Sequence, residues 1–302
     1  MACLGAVSYD PSSAATKATS SLLAMTALDT TNLRITFTAP ANGIVLVRMR
    51  CQTHGAASTP MLLLGVLDGA TVKGRLAPST GATSGSANQR QVREAEFLVT
   101  GLTPGNSYTY DAAYAVQVVV ASSAIKYGGP DDTTSNNAFG TFDFSIWETA
   151  NLLAGKLYDP GTAATVSLAS LSVMAAIDTT NLRHTFTAPA SGRVLVRLHT
   201  LATGATGTRA QALLGVLDGS TVKGRGPAAS QSVQIGTGLA TDHHIHAVSF
   251  MVTGLTPGNS YTWDAAWAVD VLLASSVLKW GGPNDASGND AWGGFAFEIW
   301  RA

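Results

Sequence analysis

Three groups of residues could do chemistry by their type and spacing. The first is TDHHIHAV (Thr241–Val248). In a strand His244 and His246 project from one face while Ile245 projects from the other. Two imidazoles on one face can chelate a metal ion. The second group is charged and occurs twice along the chain: Asp10 and Asp159, Asp29 and Asp178, Asp68 and Asp218, Asp111 and Asp264, Lys73 and Lys223. Paired carboxylates of this kind can carry acid–base hydrolysis. The third group is aromatic. Tyr110 and Tyr114 in the first occurrence become Trp263 and Trp267 in the second. Four residues is an even step, so each pair shares a strand face. Turned outward, the rings would form a flat surface suited to sugars or to a partner protein; turned inward, they are core.

Each group has a plainer explanation. Asp29 and Asp68 stand in turn contexts, where a carboxylate accepts from backbone N–H groups two residues on, and Asp10 precedes Pro11 in another turn. No histidine recurs: His54 has no counterpart, and His184 replaces Ile35. A shared Ser–His–Asp site is therefore excluded. There is no G-x-S-x-G elbow, Walker A loop or H-E-x-x-H. The residues aligned with His244, Ile245 and His246 are Gln91, Val92 and Arg93, the same polar–apolar–polar alternation without metal chemistry. The expectation is a chain that is not an enzyme, with no catalytic residue and no cofactor. Tyr110, Tyr114, Trp263 and Trp267 remain candidate binding residues, and His244 and His246 a candidate metal pair.

The frame that must position these residues is written twice. DTTNLRITFTAP (Asp29–Pro40) returns as DTTNLRHTFTAP (Asp178–Pro189), LLLGVLDGATVKGR as ALLGVLDGSTVKGR, and GLTPGNSYTYDAAYAV as GLTPGNSYTWDAAWAV. The offset grows from 149 to 150 to 153, so length changes fall in two places: Gln52–Pro60 with Thr203–Gln211, and Ala77–Arg90 with Pro227–His243. Insertions collect in surface loops. A period this long makes each copy a domain, residues 1–150 and 151–302, joined by the short, partly apolar ETANLLAGK, which is expected to dock. Leu33, Ile35 and Phe37 alternate with Arg34, Thr36 and Thr38, a strand of period two. Asn42–Gly43 and Asp68–Gly69 mark turns. No stretch has helical periodicity with caps. The fold class is all-β: two tandem homologous β-sandwich domains, of jelly-roll or immunoglobulin/fibronectin-like topology.

Composition excludes several classes. Of the 302 residues 12% are charged, with a formal net charge of -1, and there is no Lys/Arg run, so no nucleic-acid face is expected. Many surface positions must then be Ala, Ser, Thr and Gly, a surface suited to packing against other proteins. No apolar run approaches the length of a bilayer span, so no membrane insertion is expected. MACLGAVSYDPSS lacks the features of a secretory signal. Cys3 and Cys51 have no counterparts in the second copy and are expected to be thiols.

Local motifs carry two resemblances. GLTPGNSYTY resembles the E–F corner of fibronectin type III domains, with Leu102, Pro104, Gly105 and Tyr108 in the corner positions. FTAPANGIVLVR resembles a strand pair of C1q-like jelly rolls. Over nearly all of both copies, the pattern YDP, AAT, DTTNL, TFTAP, VLVR, GVLDG, GLTPG and GGP is similar to repeat modules in virion proteins of actinobacterial tailed phages, the minor tail or tail-fibre-like modules. That resemblance implies a structural protein on the virion, in the tail, its tip or the capsid surface. It implies assembly with other virion proteins and with itself as a homo-oligomer such as a trimer, and contact with a host surface glycan. Capsid decoration and a carbohydrate-binding module are the alternatives.

Overall fold

A computed structural model describes residues 1–19, 24–54, 62–77, 90–116, 124–129, 138–167, 173–204, 212–227, 229–230, 242–269, 277–282 and 292–302. Among these residues there is no helix, and none is long and apolar enough to cross a membrane. The fold is all-β.

Eight principal strands run through the first half: β1 (Cys3–Tyr9), β2 (Arg34–Thr38), β3 (Val45–His54), β4 (Leu62–Asp68), β5 (Thr71–Leu76), β6 (Arg90–Val99), β7 (Ser107–Val116) and β8 (Phe142–Glu148). Eight more occupy equivalent places in the second: β9 (Leu152–Tyr158), β10 (Arg183–Thr187), β11 (Val194–Gly204), β12 (Ala212–Asp218), β13 (Thr221–Pro227), β14 (Asp242–Val252), β15 (Ser260–Val269) and β16 (Phe295–Arg301). All pairings are antiparallel. One sheet of the first half is ordered β1-β8-β3-β6 and the other β2-β7-β4-β5. The second half repeats both, as β9-β16-β11-β14 and β10-β15-β12-β13. Eight strands wound into two four-stranded sheets in this order make a jelly roll. Short strands such as Ala124–Tyr127 and Val277–Trp280 extend the first sheet of each half.

The immunoglobulin/fibronectin alternative is thereby corrected, although its local motif is present. Tyr108 Oη accepts from the Thr103 N–H at 2.9 Å, and Tyr261 Oη from the Thr256 N–H at 3.0 Å. This clamp ties down the turn before β7 and β15, and it works in either topology.

The strands follow from the pattern. In β2 Ile35 and Phe37 are buried while Arg34, Thr36 and Thr38 are exposed. Gly69 and Gly219 take φ of 60°, which lets a two-residue loop close each hairpin. Asp29 Oδ1 accepts from the N–H groups of Thr31 and Asn32, and Asp178 repeats this with Thr180 and Asn181. These are the turn carboxylates expected. Asp111 is not idle: Arg34 donates to it twice, at 2.6 and 2.9 Å, and Arg183 does the same to Asp264.

Two apolar clusters fill the sandwiches, one drawn from Leu28–Ile146 and one from Leu182–Ile299. A third and a fourth join the halves. Leu63, Ala77 and Ala115 of the first half pack with Leu201, Ile245 and Trp292 of the second, and Leu46 and Leu98 pack with Trp300. The join itself is docked. Thr149 is buried; its hydroxyl donates to the Ile44 carbonyl and accepts from Asn42, and its carbonyl accepts from the Leu152 N–H. The two segments expected to differ in length lie outside the described residues apart from their ends.

Candidate functional site

The aromatic residues singled out by sequence are core. Tyr110 and Trp263 are 0% exposed, and Tyr114 and Trp267 are 4% exposed. Their even spacing does put each pair on one face of β7 or β15, and that face is the inner one. Tyr110 stands edge-on to Phe37 with ring centres 5.0 Å apart, and Trp263 to Phe186 at 4.8 Å. The Tyr114 hydroxyl donates to the Ala18 carbonyl at 3.1 Å. Rings so enclosed offer no face to a sugar, and the platform reading is corrected accordingly. His244 and His246 fall opposite Ala202 and Thr200 on β11. His246 is buried; the His244 side chain lies outside the described residues. Among the described residues no group of three or more His, Cys, Asp or Glu could hold a metal ion. Cys3 and Cys51 are free thiols, and burial pushes Cys51 up to about 12, which leaves it unreactive.

The structure gathers a different set. Outward-pointing residues of β3, β6, β11 and β16 meet where the halves face each other. Arg48 Nε donates to Glu96 Oε2 at 2.5 Å. Arg197, its repeat counterpart in VLVR, donates to Glu96 Oε1 at 2.5 Å and lies 3.5 Å from Glu298 Oε2. Glu298 is buried and also accepts from Trp300 Nε1 at 2.8 Å. Cavities of 370 and 300 Å³ flank this chain of charges, and Glu96 and Arg197 line both.

The register explains the arrangement. Arg48 pairs across the sheet with Glu96 on β6 and Ser145 on β8. Arg197 pairs with Ser249 on β14 and Glu298 on β16. Each half thus offers one arginine, one glutamate and one serine, with the glutamate and serine exchanged between flanking strands. Trp147 Nε1 donates to Ser145 Oγ at 2.8 Å, as Trp300 does to Glu298.

The carboxyls titrate in opposite directions. Burial opposes ionisation of Glu96, but Arg197 and Arg48 outweigh it and hold the group below the ordinary range. Burial pushes Glu298 up, against the charge of Arg197 and the hydrogen bond from Trp300. Divergent carboxyls are the pattern that separates an acid from a base. Here one guanidinium engages both, so the cluster is first of all a charge-balanced lock. Its alternating donors and acceptors also suit a hydroxyl-rich ligand in the adjoining cavities.

Sequence reasoning missed this cluster because it looked for residues that recur. Glu96 and Glu298 do not recur at equivalent positions. Arg48 and Arg197 do, on the solvent-facing side of otherwise apolar strands, and that was the available signal.

No protein-family model matches the chain, and no curated protein does. Among solved structures the chain is similar to N-glycanase F (PNGase F), at 12% identity over 96% of each chain with a TM-score of 0.37. A second match is peptide-N(4)-(N-acetyl-β-D-glucosaminyl) asparagine amidase, at 11% identity over 96% of each chain, also with a TM-score of 0.37. A third is the CBM22-1–CBM22-2 tandem of Paenibacillus barcinonensis Xyn10C, at 11% identity over 99% of this chain and 94% of that one, with a TM-score of 0.22. The first two are structures of an enzyme, and on that finding the expectation that the chain is not an enzyme is withdrawn. Likenesses at these TM-scores carry no argument about what this chain does.

Proposed function

We propose that the chain is a virion component of a tailed phage, placed in the tail or its tip, where it assembles with other virion subunits and contacts the host surface. One observation carries this reading beyond the sequence resemblance. In each half the strand ends that bracket the non-repeated segments lie together at one end of the sandwich. His54 is opposite Arg90 and Leu64 opposite Leu76; Gly204 is opposite Asp242 and Leu213 opposite Pro227. A repeated scaffold with its differences collected at one rim suits recognition by loops.

Immunogold electron microscopy of particles, with antibody to this chain, tests the reading. Label at the tail or tip supports it. Label over the head moves the chain to capsid decoration, and particles without label refute a virion role.

The charged cleft favours a second reading, glycan binding at Arg48, Glu96 and Arg197. A glycan array of the wild type against Glu96→Gln tests it: a hit lost in the variant supports the cleft, and no hit removes the reading.

A further inference from the structure

The contact between the halves is made from unlike surfaces. The first half contributes its β5–β6 edge, with Gly74, Arg75 and Leu98. The second contributes β9 and the turns beside it. Arg75 donates to Asp159 at 2.8 and 3.2 Å and to the Gly282 carbonyl at 3.0 Å, while the Gly294 N–H donates to the Arg75 carbonyl at 2.8 Å. Leu157 packs at Gly74, where a Cβ would lie 3.1 Å from it, and Leu98 packs at Gly155.

Because the chain is a repeat, each half also carries the surface that the other one uses. The second half's version of the edge holds Gly224, Arg225 and Met251. The first half's version of the receiving surface holds Asp10, Gly129 and Thr141. Neither is covered. Leu98 is 1% exposed and its counterpart Met251 is 48% exposed. The Arg75 and Asp159 side chains are 12% and 14% exposed. Their counterparts Arg225 and Asp10 are both exposed, and neither has an ion-pair partner among the described residues. The receiving surface is already shaped. The Gly129 N–H donates to the Pro11 carbonyl at 3.1 Å, as Gly282 does to Pro160 at 3.0 Å. The Gly128 N–H donates to the Gly140 carbonyl at 2.6 Å, as Gly281 does to Gly293.

We propose that Arg225 of one copy binds Asp10 of a second copy, seating the β13–β14 edge of one chain on the β1 surface of the next and repeating the Arg75–Asp159 contact between chains. A second copy is the occupant because the missing partner of each surface is present at the other end of the same chain, with matching charge and backbone frame. Such head-to-tail contacts close into a ring or run on as a filament. The contact is weaker than the internal one: Ser8 stands in place of Leu157, Gln52 in place of Leu201 and Ser249 in place of Glu96, so two apolar contacts and the Glu96–Arg197 pair have no counterpart. Ala6 stands in place of Gly155, so Met251 has to shift to clear a methyl group where Leu98 meets none. The inference goes beyond the virion reading and does not depend on it.

Purified protein is followed by light scattering on a sizing column over a concentration series. The expected result is an oligomer that grows with concentration, and monomers for Arg225→Glu and for Asp10→Arg with unchanged circular dichroism. Mixing the two single variants, or combining both changes in one chain, restores assembly. If either charge reversal does not fold, Arg225→Ala and Asp10→Ala replace the pair, with loss of assembly expected. A wild type that stays monomeric throughout overturns the proposal. So does an oligomer untouched by the single changes, or a failure of the reciprocal swap to restore it.

Discussion

Arg75→Met, set against Arg225→Met, is the sharpest test of what holds the halves together. The two arginines occupy the same position in the repeat and differ in what they face. Removing Arg75 takes three hydrogen bonds from the join, two of them to a carboxylate, and leaves Asp159 enclosed with no counter-charge. Breaking a buried pair from one side costs about 3–5 kcal/mol. Burial already pushes Asp159 above the usual carboxylate range, so the group can take up a proton when Arg75 is gone. That escape sets the expected loss near the lower end, about 3 kcal/mol. Arg225→Met removes an exposed side chain and is expected to stay within about 0.5 kcal/mol of wild type. Urea unfolding followed by tryptophan fluorescence, at protein concentrations low enough to keep chains apart, reads both. Asp159→Asn in the Arg75→Met background is expected to recover part of the loss. Equal costs for the two arginine variants, or a loss under about 1 kcal/mol for Arg75→Met, would refute the reasoning.

Trp263→Ala is expected to cost about 3–5 kcal/mol, read by thermal melting, because the ring is fully enclosed; a near-neutral outcome would contradict its place in the core. Gly5→Ala would set a Cβ 2.3 Å from Ile35 Cγ2 and is expected to destabilise by about 1–3 kcal/mol, with Ile35→Val recovering part of the loss. Burial lowers His184 to about 4, against a hydrogen bond with the Phe297 carbonyl. The folded chain keeps this ring neutral while the unfolded chain takes up a proton. Stability should therefore fall as pH drops from about 6.5 towards 4, by up to about 1.4 kcal/mol per unit. Burial lowers His199 to about 4 as well, so the two rings share the fall. His184→Gln is expected to remove only His184's part of the slope, and a slope unchanged from wild type would rule that part out.

The sequence and the structure agree where the information is local. The alternation in LRITFT gave β2, and Asp68–Gly69 gave the hairpin of β4 and β5. Strand pairing is not local. GLTPGNSY makes the same tyrosine-clamped corner in a fibronectin domain and in a jelly roll, so the motif could not choose between them. The spacing of Tyr110 and Tyr114 established a shared face; which face it was depended on the other sheet, β1-β8-β3-β6, packing over it. The charged cleft was hidden for a related reason. Glu96 and Glu298 come from non-equivalent strands, and Arg197 brings them together only once the halves have docked.

The unequal strength of the internal and external contacts has an evolutionary meaning. One module that bound its own kind head to tail would already have carried both surfaces. Duplication tied two neighbours together through residues 149–151 and made one contact permanent. Leu157 and Glu96 stand on the contact that never has to open, and Ser8 and Ser249 on the one that does. An assembly built this way exchanges modules in pairs, and every ring or filament it forms holds an even number of them.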